Sequence, residues 1–285
     1  MTQIPLFPLR SVLCPGVALP LHIFEERYRL MVNRCIERDQ PFGVILLREG
    51  RETGPFRGHV AEVGTTAVIR RAGTYPDGRL DILTVGQQRF RLDGIDNVSE
   101  PYLVGRVSLL DEPTGPEPEL SDRAEQVGRR FIEYLELLQP EGAEEGPEIE
   151  IEFEIDVGDE GEGSAASAEG ETIDGPAGTE AEAVDAAEAV VQEMDAADLP
   201  PEQRRELLMA AARRLTGTDD PTALSYVLTA LIQVDLAARQ ELLEVPDTAS
   251  RLARLDSMLE RESWFLRQGL RPIVIDPHRS TGQGG

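Results

Sequence analysis

The side chains that could carry covalent or metal chemistry are few and widely separated in this sequence of 285 residues. The three histidines, His22, His59 and His278, lie in no metal-ligand spacing such as HExxH. The two cysteines, Cys14 and Cys35, form no CxxC pair, and we expect both thiols to be reduced and buried. The sequence therefore predicts no metal site, no thiol nucleophile, and structural or surface roles for the histidines.

All 28 basic residues are arginine, and the absence of lysine excludes several mechanisms for this sequence. A P-loop needs a lysine on the nucleotide phosphates, and a Schiff base or a Ser-Lys peptidase dyad needs a lysine amine. No Gly-x-Ser-x-Gly elbow occurs. A glycine pattern at residues 161–166 nominally fits a dinucleotide fingerprint, but its acidic surroundings would repel a pyrophosphate. We expect no catalytic residue, no cofactor and no enzymatic activity.

The residues that we single out for binding are Ile23, Phe24, Glu25, Arg27 and Tyr28. In the functional interpretation, a helix start borders a groove where an extended polypeptide docks, with Ile23 and Phe24 as apolar contacts. Such a groove needs apolar anchors and main-chain pairing but no catalytic group. In the structural interpretation, Glu25 caps the helix, Arg27 forms a local ion pair and Tyr28 packs in the core. The sequence leaves both interpretations open.

Short strands and one helix must position these residues. Apolar segments punctuated by proline, glycine and turn residues predict strands near residues 4–9, 17–24, 42–47, 60–70, 80–85, 88–92 and 102–110. Tyr28, Met31, Val32, Cys35 and Ile36 recur at helical spacing and predict one amphipathic helix among them. This pattern is typical of a small barrel or a twisted sheet.

The chain becomes helical after the last predicted strand. Apolar residues recur at helical spacing from Leu120 to Leu138, and Asp220 and Pro221 form an N-cap and first-turn pair for a later helix. We assign residues 114–139 to the first helix of a helical subdomain and residues 199–270 to the rest of it. Residues 271–285 are expected to be a disordered tail.

The net charge of −25 is concentrated in one stretch between these helices. Residues 141–198 hold 21 of the 53 acidic residues and no arginine, so the other 227 residues carry 32 acids against 28 arginines. We assign residues 140–198 to a disordered acidic insertion, because such a composition cannot repay its ordering entropy. Residues 148–157 alternate strictly between acidic and apolar side chains. They are interpreted either as part of that disorder or as an edge strand that needs a docking surface.

Several ordered motifs indicate a known family. They are Ile4-Pro5-Leu6-Phe7-Pro8-Leu9, Pro15-Gly16, Leu19-Pro20-Leu21, Ile23-Phe24-Glu25, Arg27-Tyr28, Phe42-Gly43-Val44, Val63-Gly64-Thr65, Asp77-Gly78-Arg79-Leu80, Gly86, Arg89-Phe90, Leu224-Ser225-Tyr226, Arg239-Gln240-Glu241-Leu242-Leu243 and Arg251-Leu252. In this order they resemble the N-terminal substrate-binding domain of Lon proteases. The resemblance implies an α+β fold: a PUA-like β pseudo-barrel with one inserted helix over residues 1–113, followed by a helical bundle that the acidic insertion interrupts.

The resemblance and the missing lysines together predict a non-enzymatic polypeptide-binding module without ATPase and peptidase parts. Its expected partners are unfolded or hydrophobic polypeptide segments. One alternative is an adaptor or regulator that works with a separate protease or chaperone, and another is a PUA-like RNA-binding protein. Nucleic acid is disfavoured because the chain has no lysine and no basic run longer than Arg70-Arg71. With no signal peptide and no membrane-spanning stretch in the sequence, we expect a cytoplasmic location and no membrane partner.

Overall fold

The structure is a computed structural model that describes residues 2–50, 58–115, 120–138, 212, 218 and 220–270. These residues divide into two compact units, one ending at Glu112 and one beginning at Pro113, which we call the β unit and the helical unit. Together they make an α+β protein. The predicted acidic insertion at 140–198 and the predicted tail at 271–285 lie outside the described residues.

The described part of the β unit contains seven strands and one helix. The strands are β1 (Thr2–Leu9), β2 (Ala18–Ile23), β3 (Phe42–Glu49), β4 (His59–Val60), β5 (Val63–Thr74), β6 (Leu80–Asp96) and β7 (Leu103–Leu109). The predicted segments at 80–85 and 88–92 are in fact one long strand, β6. It can pass through Gly86 without a break because this glycine has no side chain where the chain is crowded: a Cβ there would lie 2.3 Å from the carbonyl oxygen of Cys14.

Strand pairing closes five of these strands into a ring. β1 pairs in parallel with β3 and antiparallel with β7, and antiparallel pairs then connect β7 to β6, β6 to β5 and β5 to β3. The first half of β6 extends beyond the ring and pairs with β2 on one side and β5 on the other. β2 therefore lies outside the ring, at the edge of a three-stranded extension.

The inserted helix, α1 (Glu26–Arg38), covers the core of this extension. Its buried side chains are Tyr28, Met31, Val32 and Cys35, which confirms the predicted stripe. These four side chains belong to the same apolar cluster as the buried side chains of β2, which alternate along that strand: Leu19, Leu21 and Ile23. The helix ends at Asp39, which adopts the left-handed conformation with φ 48° and donates its backbone N–H to Ile36.

The helical unit contains α2 (Leu120–Leu138), α3 (Pro221–Leu231), α4 (Leu236–Glu244) and α5 (Thr248–Arg267). The predicted cap is confirmed: an oxygen of Asp220 accepts the backbone N–H of Thr222 at 2.8 Å, and Pro221 follows it. Aspartates cap the next two helices in the same way, Asp235 for α4 and Asp247 for α5. One apolar cluster contains side chains from each of these described helices.

Candidate functional site at the start of helix α1

Of the five residues singled out for binding, two are buried, two (Glu25 and Arg27) are half-buried, and only Phe24 is exposed. Ile23 and Tyr28 belong to the core, and the Tyr28 ring packs edge-on against Phe7 with ring centroids 4.2 Å apart. Phe24 instead keeps 37% of its surface exposed at the turn between β2 and α1. Ile23 and Tyr28 can thus support a surface from beneath, while Phe24 can contact a ligand directly.

Glu25 and Arg27 form the rim of this turn. Arg27 donates its Nε to a carboxylate oxygen of Glu25 at 3.1 Å, and its guanidinium lies 4.4 Å above the Tyr28 ring. Glu25 occupies the N-cap position, but its side chain makes no capping hydrogen bond. In the structural interpretation, the capping role is therefore wrong, whereas the local ion pair and the packing of Tyr28 are found.

A cleft of about 420 Å³ opens beside the first turns of α1. We call it the α1 cleft, and its lining residues are Glu25, Glu26, Arg27, Leu30 and Pro101. Leu30 and Pro101 provide apolar surface, and Leu30 is exposed to the same extent as Phe24. Three of the five lining residues are charged and two are apolar, and the volume lies within the range of ligand clefts.

The far wall of the α1 cleft is held by Arg34, one turn further along α1. Its Nη1 donates to Glu100 at 2.7 Å and to the Tyr102 hydroxyl at 2.9 Å. These hydrogen bonds raise the pKa of Arg34, and they fix the residues on both sides of Pro101 against the helix. The cleft is therefore a built feature of the β unit rather than the gap beside a loose loop.

Phe24 also belongs to a group of aromatic side chains on the outer face of β2. The His22 ring stacks on Phe24 at 6.3 Å and meets Tyr75 edge-on at 6.0 Å. His22 Nδ1 lies 2.6 Å from one Asp81 oxygen, and the Tyr75 hydroxyl donates to the other. We call these four residues the aromatic cluster. It packs the His22 ring against Phe24, the residue that directly precedes the cleft-lining Glu25 in sequence.

The sequence alone does not group these four residues, although the pairing of two strand segments would indicate that they are neighbours. His22 and Asp81 face each other across the β2–β6 pair, so the strand register alone sets their contact. Tyr75 and Asp81 flank the predicted hairpin turn and become neighbours when it closes. A pairing of residues 18–23 with 80–85 would have predicted the cluster, but the register is not readable from either segment alone.

A second cavity, of about 510 Å³, lies at the end of the strand ring where β1 and β3 begin and β7 ends. Its lining includes Ile4, Val107 and Leu109 together with the polar side chains of Gln87 and Arg70. None of the five residues singled out from the sequence lines it. It offers a comparison site for any test of the α1 cleft.

Several of the quoted family motifs form the interior of the two units rather than a surface. In the β unit, the buried Arg89 donates Nε to Glu112 at 2.5 Å and Nη2 to the second oxygen of that carboxylate at 3.2 Å. The neighbouring Phe90 ring packs where a Cβ at Gly64 would lie only 2.6 Å away. These motif residues therefore have structural roles in the interior, and these contacts assign none of them to a binding surface.

In the helical unit, Arg251 has no exposed surface. Its guanidinium donates to the Leu242 and Val245 carbonyls and to the Ser225 hydroxyl at 3.0–3.3 Å, and it lies 3.9 Å above the Tyr226 ring. Arg251 thereby joins α3, the end of α4 and α5. The motifs around Ser225, Leu242 and Arg251 meet at this one buried guanidinium.

Within the described ranges, no group of histidine, cysteine and acidic side chains could hold a metal ion. Over the same residues, no helix is long and apolar enough to cross a membrane. Both cysteines are buried and outside any disulfide, and burial raises the pKa of Cys35 to about 11. A thiol with such a pKa is a poor nucleophile near neutral pH.

Comparisons with known proteins agree on one family. The family model of the ATP-dependent protease La (LON) substrate-binding domain matches residues 3–261. The chain is 31% identical over 121 residues to the Lon protease of Parabacteroides distasonis and 32% identical over 142 residues to that of Paraburkholderia phytofirmans. These matches cover 42% and 49% of this chain but only 14% and 17% of those proteins.

Two solved structures have a similar fold. One is a Lon N-terminal domain protein from Xanthomonas campestris, with a TM-score of 0.51, 21% identity and coverage of 90% of this chain and 98% of that one. The other is the N-terminal domain of a Mycobacterium avium complex Lon protease, with a TM-score of 0.51, 14% identity and coverage of 91% and 98%. The match of the family model over residues 3–261 and the shared fold show that this chain belongs to the family of Lon substrate-binding domains.

Proposed function

We propose that this protein is a non-enzymatic polypeptide-binding module that holds unfolded or hydrophobic segments at the α1 cleft. The observation that carries the proposal is the pair of exposed apolar side chains, Phe24 and Leu30, on either side of the first turn of α1. Exposed apolar groups on a firmly packed support suit a partner that brings apolar side chains of its own. The family is described as a substrate-binding domain, which agrees with this role.

The residues predicted from the sequence take different parts in the proposed site. Phe24 contacts the polypeptide, and Glu25 and Arg27 form a charged rim that limits how deeply it enters. Ile23 and Tyr28 hold the turn from the core side. This assignment is supported by the burial of the last two and the exposure of the first.

The proposal also includes a PUA-like fold for the β unit, a cytoplasmic location, and the lack of ATPase and peptidase activity. The closed ring of five strands supports a PUA-like pseudo-barrel. Two buried cysteines that form no disulfide support a cytoplasmic location. The absence of lysine from this sequence supports a module without ATPase and peptidase activity of its own, which would pass bound segments to a separate protease or chaperone.

The test is the affinity of the full chain for reduced, carboxymethylated α-lactalbumin, measured by fluorescence anisotropy. We expect Phe24→Ser and Leu30→Ser each to weaken binding about 5- to 10-fold, the usual loss for one apolar anchor of about 1 kcal/mol. Leu109→Ser is the matched control, because Leu109 is an exposed leucine at the ring-end cavity. A loss of affinity in Leu109→Ser alone would move the site to that cavity, and no binding by the unchanged protein would refute the function.

A further inference from the structure

β2 is an edge strand with one open side in the described part of the β unit. It pairs with β6 over Ala18–Ile23. No backbone hydrogen bond joins its other side to a described residue. An open strand edge is a row of N–H and C=O groups on which another extended chain can pair.

Two hydrogen bonds show which backbone groups of β2 face the open side. The N–H of Gly86 donates to the carbonyl of Val17 at 2.9 Å, and the Thr84 hydroxyl donates to the carbonyl of Leu19 at 2.8 Å. These two carbonyls therefore point towards β6. Because successive residues alternate between the two sides of a strand, the backbone groups of Ala18, Pro20 and His22 point outward.

The open side therefore offers a defined set of hydrogen-bonding groups. Ala18 and His22 each present one N–H and one C=O, whereas Pro20 presents only its C=O because proline has no N–H. Proline on the outward-facing side is typical of an edge strand, since there it removes no hydrogen bond from the sheet. The edge has three acceptors and two donors for a partner.

This edge continues directly into the proposed binding site. β2 ends at Ile23, the next residue is the exposed Phe24, and Glu25 already lines the α1 cleft. At about 3.3 Å per residue, an extended segment of roughly eight residues would run along the edge and reach the cleft. The same segment could thus use both surfaces at once.

We propose that bound polypeptide adds to the open side of β2 as a further strand while one of its apolar side chains enters the α1 cleft. This inference rests on the proposed function and specifies how the polypeptide is held. Pairing through the main chain does not depend on the side chains along the edge, so it suits a module that accepts many sequences. Phe24 and Leu30 then select only for an apolar residue at one end of the segment.

Amide hydrogen exchange of the full chain, followed by NMR with and without saturating reduced, carboxymethylated α-lactalbumin, tests the inference. We expect the amides of Ala18 and His22 to exchange at least tenfold more slowly in the complex. The amide of Gly105 is the control, because β7 already pairs with strands on both sides there. Binding without added protection of Ala18 and His22, or with equal added protection of Gly105, overturns strand addition but leaves the function standing. No binding of the α-lactalbumin overturns both.

A reciprocal pair of variants tests the edge independently. Ala18→Pro removes one outward N–H and should weaken binding about fivefold, whereas Pro20→Ala adds one and should tighten binding about twofold. Circular dichroism checks that each variant keeps its fold. Because the two variants are expected to act in opposite directions, an equal change in both overturns the inference, as does the absence of any change in either.

Discussion

The β unit and the helical unit each bury an arginine, and they satisfy its hydrogen bonds differently. Arg89 in the β unit places Nε and Nη2 on the carboxylate of Glu112, and its Nη2 also donates to the Asp111 carbonyl at 3.4 Å. Arg251 in the helical unit spreads its hydrogen bonds over two carbonyls and a hydroxyl and lies over an aromatic ring. Loss of Glu112 removes the carboxylate that offsets the buried charge of Arg89, whereas loss of any one partner of Arg251 removes only one of several hydrogen bonds to neutral groups.

The two units can be observed separately because each carries its own probes. Trp264 is the only tryptophan of the chain and lies on α5, and both cysteines lie in the β unit. Tryptophan fluorescence in increasing urea therefore follows the helical unit, and thiol labelling follows the β unit.

The largest effect is expected for Arg251→Ala. It removes the guanidinium that donates to the Leu242 and Val245 carbonyls and to the Ser225 hydroxyl, and it opens a cavity. We expect this to cost about 4 kcal/mol of unfolding free energy. The fluorescence transition of Trp264 should move to much lower urea. Ser225→Ala removes only one partner and should cost about 1 kcal/mol. Equal losses in these two variants would contradict the distributed arrangement.

The next effect is expected for Glu112→Ala, which leaves the Arg89 charge buried without its carboxylate. Removing one partner of a buried pair typically costs about 3 kcal/mol, and the loss should appear in the thiol-labelling transition of the β unit. Glu49→Ala is the control, because the exposed Glu49 lies 3.3 Å from His59 Nδ1 and exposed contacts of this kind contribute little. If the two glutamate variants were equally stable, the Arg89–Glu112 ion pair would not explain how the β unit differs from the helical unit.

A smaller effect concerns the thiol of Cys35. Burial raises its pKa from 9.0 to about 11, so at pH 8 the thiolate population should be about 100-fold lower than for an unperturbed thiol. Reaction with Ellman's reagent should be correspondingly slow in the native protein and fast in denaturant. Fast native labelling at Cys35, identified by mass spectrometry, would show that the β unit opens locally and would weaken its use as a probe.

The smallest effect is expected at the aromatic cluster on the surface of the β unit. The hydrogen bond to the Asp81 carboxylate raises the pKa of Tyr75, because the phenol donates to a negative group that disfavours phenolate. Asp81→Asn should lower this pKa towards its ordinary value, which ultraviolet titration of phenolate formation can follow. An unchanged titration of Tyr75 would mean that the cluster does not hold together in solution.

Local periodicity predicted the parts of the fold that depend on one segment. The α1 stripe and the Asp220–Pro221 helix start are confirmed because a helix turn and a cap involve residues close in sequence. The placement of Ile23 in the core could have been predicted too, since it alternates with Leu19 and Leu21 along one strand.

Features that depend on pairing between distant segments were not predictable in this way. The contact of His22 with Asp81 depends on the register of β2 against β6. The burial of Arg89 depends on an ion pair with Glu112, which follows the last strand, β7, in the sequence. Arginines are usually exposed, so the residue type alone does not predict the burial of Arg89 or Arg251. The sequence therefore predicts only the part of the candidate site that lies in one continuous segment, residues 23–28.

Pro20 has a consequence for the protein at high concentration. A strand edge that can accept a foreign chain can equally accept the same edge of another copy, and repeated pairing of this kind leads to aggregates. By withholding the central donor of β2, Pro20 weakens such pairing between two copies on both of their strands, but weakens pairing with an unrelated segment on one strand only. A single proline thus weakens pairing between two copies of the edge while leaving the edge open to other segments.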